Sequence, residues 1–223
     1  MRDASTQTAP PLKLREQAYN SFTRLLLSQE IRPGQFISQR ELVEMTGLPL
    51  GAIRELIPRL EVDGLLSTVP QRGMQITHID LNLIRNAYQF RLFLEREAAA
   101  FFVETAPERM LIGMRDAHRA VLDRAAEGLD PEVLTLAQKT DWAFHDTIIG
   151  FLENEIISNH YRVNSVKIQL IRLEQARLYD ALVVPVMEEH MRIIDVFFER
   201  DPARAAIAIS EHIAIARNRA LRI

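Results

Sequence analysis

Apolar positions recur at helical spacing along most of this chain, and the pattern changes character in one place, between Leu65 and Thr77. Ala18, Phe22, Leu25 and Leu26 line one side of a helix from Leu14 to about Gln29, ahead of the turn at Arg32-Pro33-Gly34. Ser38 and Glu41 have the S-x-x-E spacing of a capping box, so a second helix starts there. Leu42, Val43 and Met45 give it an apolar side, and Gly47 suits its end. A third helix carries Leu50, Ile53, Ile57 and Leu60 and stops at Gly64. Two helices joined by a tight glycine-containing turn make a helix-turn-helix. Leu65–Val69 and Met74–Thr77 read as short strands around Pro70-Gln71-Arg72-Gly73, which is a wing.

Beyond a linker at His78-Ile79-Asp80 the pattern predicts six more helices. Asp80 caps the first, to about Ala106, and Pro107 opens the next, to Gly128. Asp130-Pro131 and Asp201-Pro202 each pair an N-cap with proline at the first helical position, so they open the third and the last. Between them, one helix runs from Asn154 to Leu178 and another from Pro185 to Glu199. The expected fold is mainly α: a winged helix-turn-helix over residues 12–77, then an all-α six-helix bundle over residues 80–223. Met1–Pro11 is expected to be a disordered lead-in.

Composition narrows the setting. The 223 residues include 48% hydrophobic positions, enough to bury a sizeable core, and no apolar run is long enough to span a membrane. The polar N-terminus holds no signal-like apolar stretch, and there is no cysteine, so a cytoplasmic protein without disulfides or thiolate metal ligands is expected. A net charge of −3 argues against a non-specific nucleic-acid coat. The balance differs along the chain, with eight basic and seven acidic residues in 12–77 against eighteen and twenty-two after Thr77.

The bundle carries the second chemical signal. Asp141 and His145 are four apart and share a helix face, while His190 and His212 lie in the middle of two later helices. One carboxylate and three imidazoles from three helices can converge on a divalent cation, and nitrogen-rich ligation favours Zn²⁺ or Ni²⁺. The competing reading of Asp141 and His145 is an ordinary hydrogen-bonded pair. His118 reads as an exposed helix residue, and His160 as surface or cavity.

Residues 14–77 resemble the winged helix of GntR-type bacterial transcription regulators. The resemblance rests on Leu14-Arg15-Glu16-Gln17-Ala18-Tyr19, Pro33-Gly34, Ser38 to Gly47, Arg54 to Leu65 and Arg72-Gly73. The remainder is similar to the FCD effector domain of the FadR branch, through Arg91 with Glu95, Asp141 with Phe144-His145, Asn154, and His190 followed by His212. The resemblance implies a homodimer bound to a double-stranded DNA operator, a metal held by Asp141, His145, His190 and His212, and a cavity for a small organic acid. It also points Arg91 at the cavity, where a guanidinium can clamp a carboxylate; a salt bridge to Glu95 is the alternative.

One region departs from the pattern. Where the family has a small polar cap, an arginine and a threonine that touch DNA, this chain has Pro49, Leu50 and Gly51, and Pro58 falls inside the same helix. An interior proline costs roughly 3 kcal/mol unless the helix kinks. The remaining DNA candidates are Arg40, Arg54, Arg59, Gln71, Arg72 and Gly73, with an exposed salt-bridged face as the plainer reading of Arg54-Glu55. The leading expectation is a metabolite-responsive regulator, as a repressor. A metal-dependent enzyme and a helical interaction module with degenerate DNA binding are the alternatives. No carboxylate or other general base is tied to the histidines by any motif, which weighs against the enzyme.

Overall fold

A computed structural model of the chain describes residues 11–174 and 179–221. The chain divides after Asp80 into two compact units. The first holds α1 (Pro11–Leu27), β1 (Phe36–Ile37), α2 (Gln39–Thr46), α3 (Leu50–Val62), β2 (Leu66–Val69) and β3 (Gly73–Ile76). The second holds α4 (Leu81–Thr105), α5 (Glu108–Glu127), α6 (Pro131–Gly150), α7 (Glu155–Glu174), α8 (Tyr179–Phe198) and α9 (Pro202–Leu221).

In the first unit the local signals act as their chemistry requires. Ser38 and Glu41 form the reciprocal capping box at the start of α2, and Gly47 ends that helix in the left-handed region at φ 69°. Phe22, Leu25 and Leu26 of α1, Leu42 of α2 and Ile53 and Leu60 of α3 are fully buried together with Leu65 and Ile76. The wing hairpin pairs β2 with β3 from Leu66↔Ile76 to Val69↔Gly73. The short strand β1 pairs with the other edge of β3, giving the antiparallel order β1-β3-β2. The hydrophobic pattern does not predict β1, because two residues are too few to show a period. Helix α3 runs from Leu50 to Val62 with Pro58 inside it, as the sequence places it.

In the second unit, Asp130 accepts from Val133 N at 2.7 Å with Pro131 next in sequence, and Asp201 accepts from Ala203 N and Arg204 N. Asn154 likewise accepts from Ile156 N and Ile157 N ahead of α7. The expected end of α7 at Leu178 and most of the lead-in at Met1–Pro11 lie outside the described residues. Helix α8 corrects the sequence reading. It is already helical at Tyr179, the first described residue after 174, so it does not begin at Pro185, which sits inside it. Val183, Val186 and Met187 bury against Val121 and Ala137, so packing holds the turns on both sides of the proline. None of the described helices is long and apolar enough to cross a membrane.

Candidate functional sites

His145 on α6, His190 on α8 and His212 on α9 come together in the bundle. One ring nitrogen from each lies within 4.8 Å of the others, and all three residues are buried. Phe144 stacks on His190 with centroids 4.2 Å apart and fixes the plane of that ring. Asp141, one turn before His145, directs Oδ1 to 3.6 Å from His190 Nε2 and 3.9 Å from His145 Nε2. Its Oδ2 is held by Arg172. All four residues predicted to gather around a cation are therefore neighbours.

Each imidazole is oriented through its outer nitrogen. His145 Nδ1 donates to Glu95 Oε2 at 2.7 Å, and His212 Nδ1 donates to Glu189 Oε2 at 2.9 Å. The third partner is His118, which is buried rather than exposed. Met114 O can only accept, so His118 Nδ1, 2.6 Å away, carries the proton. His118 Nε2 then accepts from His190 Nδ1 at 3.0 Å. Those bonds leave the Nε2 atoms of the three rings turned toward one another. His190 Nε2 and His212 Nε2 are 3.2 Å apart, and His145 Nε2 is buried without a partner. Two lone pairs at that separation repel unless a cation stands between them. A proton can serve His190 and His212, whereas a metal ion would serve all three and would partner the free nitrogen of His145.

The electrostatics agree. Burial pushes His145 down to about 4, with the Arg91 guanidinium adding to the effect. Burial, reinforced by the neighbouring imidazoles of His212, His145 and His118, holds His190 well below its ordinary value. Burial alone would raise Asp141, but Arg172, His145 and Arg91 keep its carboxyl low. His145 and His190 offer neutral nitrogens and Asp141 an ionised oxygen, the donor chemistry of a divalent transition ion.

A cavity adjoins the cluster, lined by Tyr88, Arg91, Asp141, Arg172, Leu182, Val186, His212, Ala216 and Arg219. Arg91 is 3% exposed and donates through Nε to Glu95 Oε1 at 2.5 Å. Its Nη2 is buried without a partner. The salt bridge and the cavity position, posed as alternatives from sequence, thus coexist in one side chain. Glu95 also accepts from Tyr161 OH at 2.6 Å; burial opposes its charge, yet Arg91 and His145 hold it well below the carboxylate range. Arg172 and Arg219 pair with Asp141 and Glu189 and bring two more guanidiniums to the cavity wall. His160 is exposed.

In the first unit, Arg40 and Arg54 lie on exposed surfaces of α2 and α3, with Arg54 Nε 3.4 Å from Gln39 Oε1. Arg72 N donates to Val69 O and closes the wing turn, where Gln71 takes a left-handed φ of 62°. The Arg72 guanidinium lies 4.3 Å from the centre of the Phe36 ring. Gly73 has φ 90°, and a Cβ there would stand 3.1 Å from Ile37 O, which favours glycine twice over. Arg59 differs from the others: it is half-buried, 4.2 Å over the Tyr19 ring of α1.

The family model for gntR-family bacterial regulatory proteins matches residues 14–76, and the FCD domain model matches residues 86–215. An uncharacterised HTH-type transcriptional regulator of Bacillus subtilis, YdhC, is 25% identical over 88% of this chain and 84% of its own length. The Nta operon transcriptional regulator of Aminobacter aminovorans is 26% identical over 85% and 86%. The solved structure of Escherichia coli McbR/YncC shares the fold at a TM-score of 0.75, with 16% identity, covering 94% of this chain and 97% of that one. These matches indicate a DNA-binding transcription factor with a small-molecule effector domain rather than an enzyme. The chain belongs to the GntR family of bacterial regulators, as a member that carries an FCD domain.

Proposed function

We propose that this chain is a homodimeric, cytoplasmic repressor whose operator affinity is set by a small carboxylate bound beside a divalent transition ion. Residues 12–77 are the DNA-reading domain and residues 80–223 the sensing domain. Asp141, His145, His190 and His212 would hold the ion, with zinc or nickel best suited to three imidazoles and one carboxylate. A bound ion supplies a positive, Lewis-acidic centre for an anionic ligand. The observation that carries this reading is the convergence of three imidazole nitrogens in a buried cluster, with His145 Nε2 left unpartnered. Arg91 turns its unpaired Nη2 to the ligand's carboxylate, while Glu95 keeps the guanidinium oriented. Arg40, Arg54, Gln71, Arg72 and the backbone at Gly73 face the duplex, and Arg59 stands at the edge of that surface.

Purified protein should carry about one divalent ion per chain by elemental analysis, and the His190→Ala/His212→Ala double variant should carry none. A panel of small organic acids, scored by thermal shift and then by operator affinity, tests the sensor. Coupling of about 1–3 kcal/mol between acid and operator is the size expected for a switch. An acid that binds the metal-loaded protein tightly and leaves operator affinity unchanged would remove the sensing role.

A further inference from the structure

In a helix-turn-helix the second helix enters the major groove, and its N-terminal residues lie nearest the base edges. That helix is α3, and the inference rests on its DNA-reading role. The exposed residues in its first two turns are Leu50, Gly51, Arg54 and Glu55. Glu55 is already engaged by Arg15 Nε of α1 at 2.7 Å. Pro49, at the cap, makes no side-chain hydrogen bond to the helix. Arg54 is then the one cationic group among those exposed positions, and it stands one turn from Leu50 on the same face.

Leu50 keeps 41% of its surface exposed, although the unit around it has a complete core. A Cβ at Gly51 would meet nothing within 4 Å, so no side chain fills the space beside Leu50. An isobutyl group cannot pair with the hydrogen-bonding edges of guanine, adenine or cytosine. The apolar group that the major groove does present is the C5-methyl of thymine. We propose that Leu50 determines operator specificity by packing on a thymine methyl in each half-site, next to the base read by Arg54.

The test uses the full-length, metal-loaded protein and a random-sequence duplex library. Duplexes that the wild type retains are aligned, and each thymine is replaced singly by uracil, which removes only the methyl. At one thymine per half-site, adjacent to the position sensitive to Arg54→Ala, affinity should fall about fourfold, as expected for one methyl-sized apolar group. Leu50→Ala should bind the thymine and uracil duplexes equally and keep its dependence on Arg54. Leu50→Arg, selected afresh, should exchange that thymine for guanine. Uracil tolerance at every position, or equal uracil sensitivity in wild type and Leu50→Ala, overturns the proposal while leaving DNA binding intact. If the library yields no retained duplex, the DNA-reading role of α3 falls, and the proposal with it.

Discussion

Replacing Glu95 with glutamine should damage both the stability and the metal affinity of the bundle. Glu95 is fully buried and accepts from Arg91 Nε and Tyr161 OH on one oxygen and from His145 Nδ1 on the other. Glutamine keeps the shape but offers one acceptor and an NH₂ group. If its oxygen stays with Arg91 and Tyr161, its NH₂ meets the N–H of His145 and two donors oppose each other. The buried Arg91 charge also loses its counter-charge, and breaking one partner of a buried pair costs about 3–5 kcal/mol. At about 2–4 °C per kcal/mol for a chain of this size, the melting temperature should fall by about 6–20 °C. His145 can escape the donor clash by moving its proton to Nε2, which withdraws that nitrogen from the cluster. Loss of such an orienting partner typically lowers metal affinity about 10–100-fold. The only tryptophan, Trp142, lies on α6 beside Asp141, so its fluorescence on heating reports this unit. A competing chelator reads metal affinity on the same samples. If Glu95→Gln melts within about 2 °C of wild type, the assignment of an ionised Glu95 is refuted. Unchanged chelator competition would refute its control of the His145 tautomer.

Further outcomes rest on the same geometry. His145 falls from 6.5 to about 4, so between those values the folded protein binds fewer protons than the unfolded chain. Stability of the chelator-stripped protein should therefore rise with pH across that window, by about 3 kcal/mol from this residue, and then level off. Urea midpoints measured through the window check the sign, and a midpoint that climbs as pH falls contradicts a neutral imidazole. Arg54→Ala should weaken operator binding by about 1–3 kcal/mol, read by fluorescence anisotropy. Arg59→Ala should act mainly through the lost stacking on Tyr19, about 0.5–1 kcal/mol of stability, and an equal loss of operator binding would return Arg59 to the DNA surface. Asp130→Ala removes the cap of α6 and should cost about 1 kcal/mol by Trp142 fluorescence without changing metal content. A loss of bound metal in that variant would show that α6 is held in place by its cap.

The sequence made some parts of this molecule readable and hid others for physical reasons. Capping chemistry is local, so Ser38-Glu41, Asp130-Pro131 and Asp201-Pro202 mark their helices within a few neighbouring residues. The start of α8 was hidden because Pro185 looks like a first helical residue, while the turn before it is held by Val183 packing across the bundle. His118 reads as exposed in the sequence, where Arg115, Asp116 and Arg119 around it mask its burial. Met114 and Val121, four before and three after it, are both buried and mark the inward face that His118 shares. Asp141, His145, His190 and His212 could be picked out as residue types on helices, but what holds the imidazoles could not. Glu95 lies 50 residues before His145, and His118 lies 72 before His190. Nothing short of the tertiary fold pairs such positions.

Helix α4 begins at the residue after the boundary between the two units, and it carries Tyr88, Arg91 and Glu95 without a break. From Leu81 to Arg91 is ten residues, about 15 Å of continuous helix. An unbroken helix of that length ties a displacement of Arg91 to one at Leu81. The rod has no hinge of its own. On the proposed function, residues Thr77 to Asp80 are then the stretch of chain through which a displacement at Arg91 would have to pass to reach the first unit.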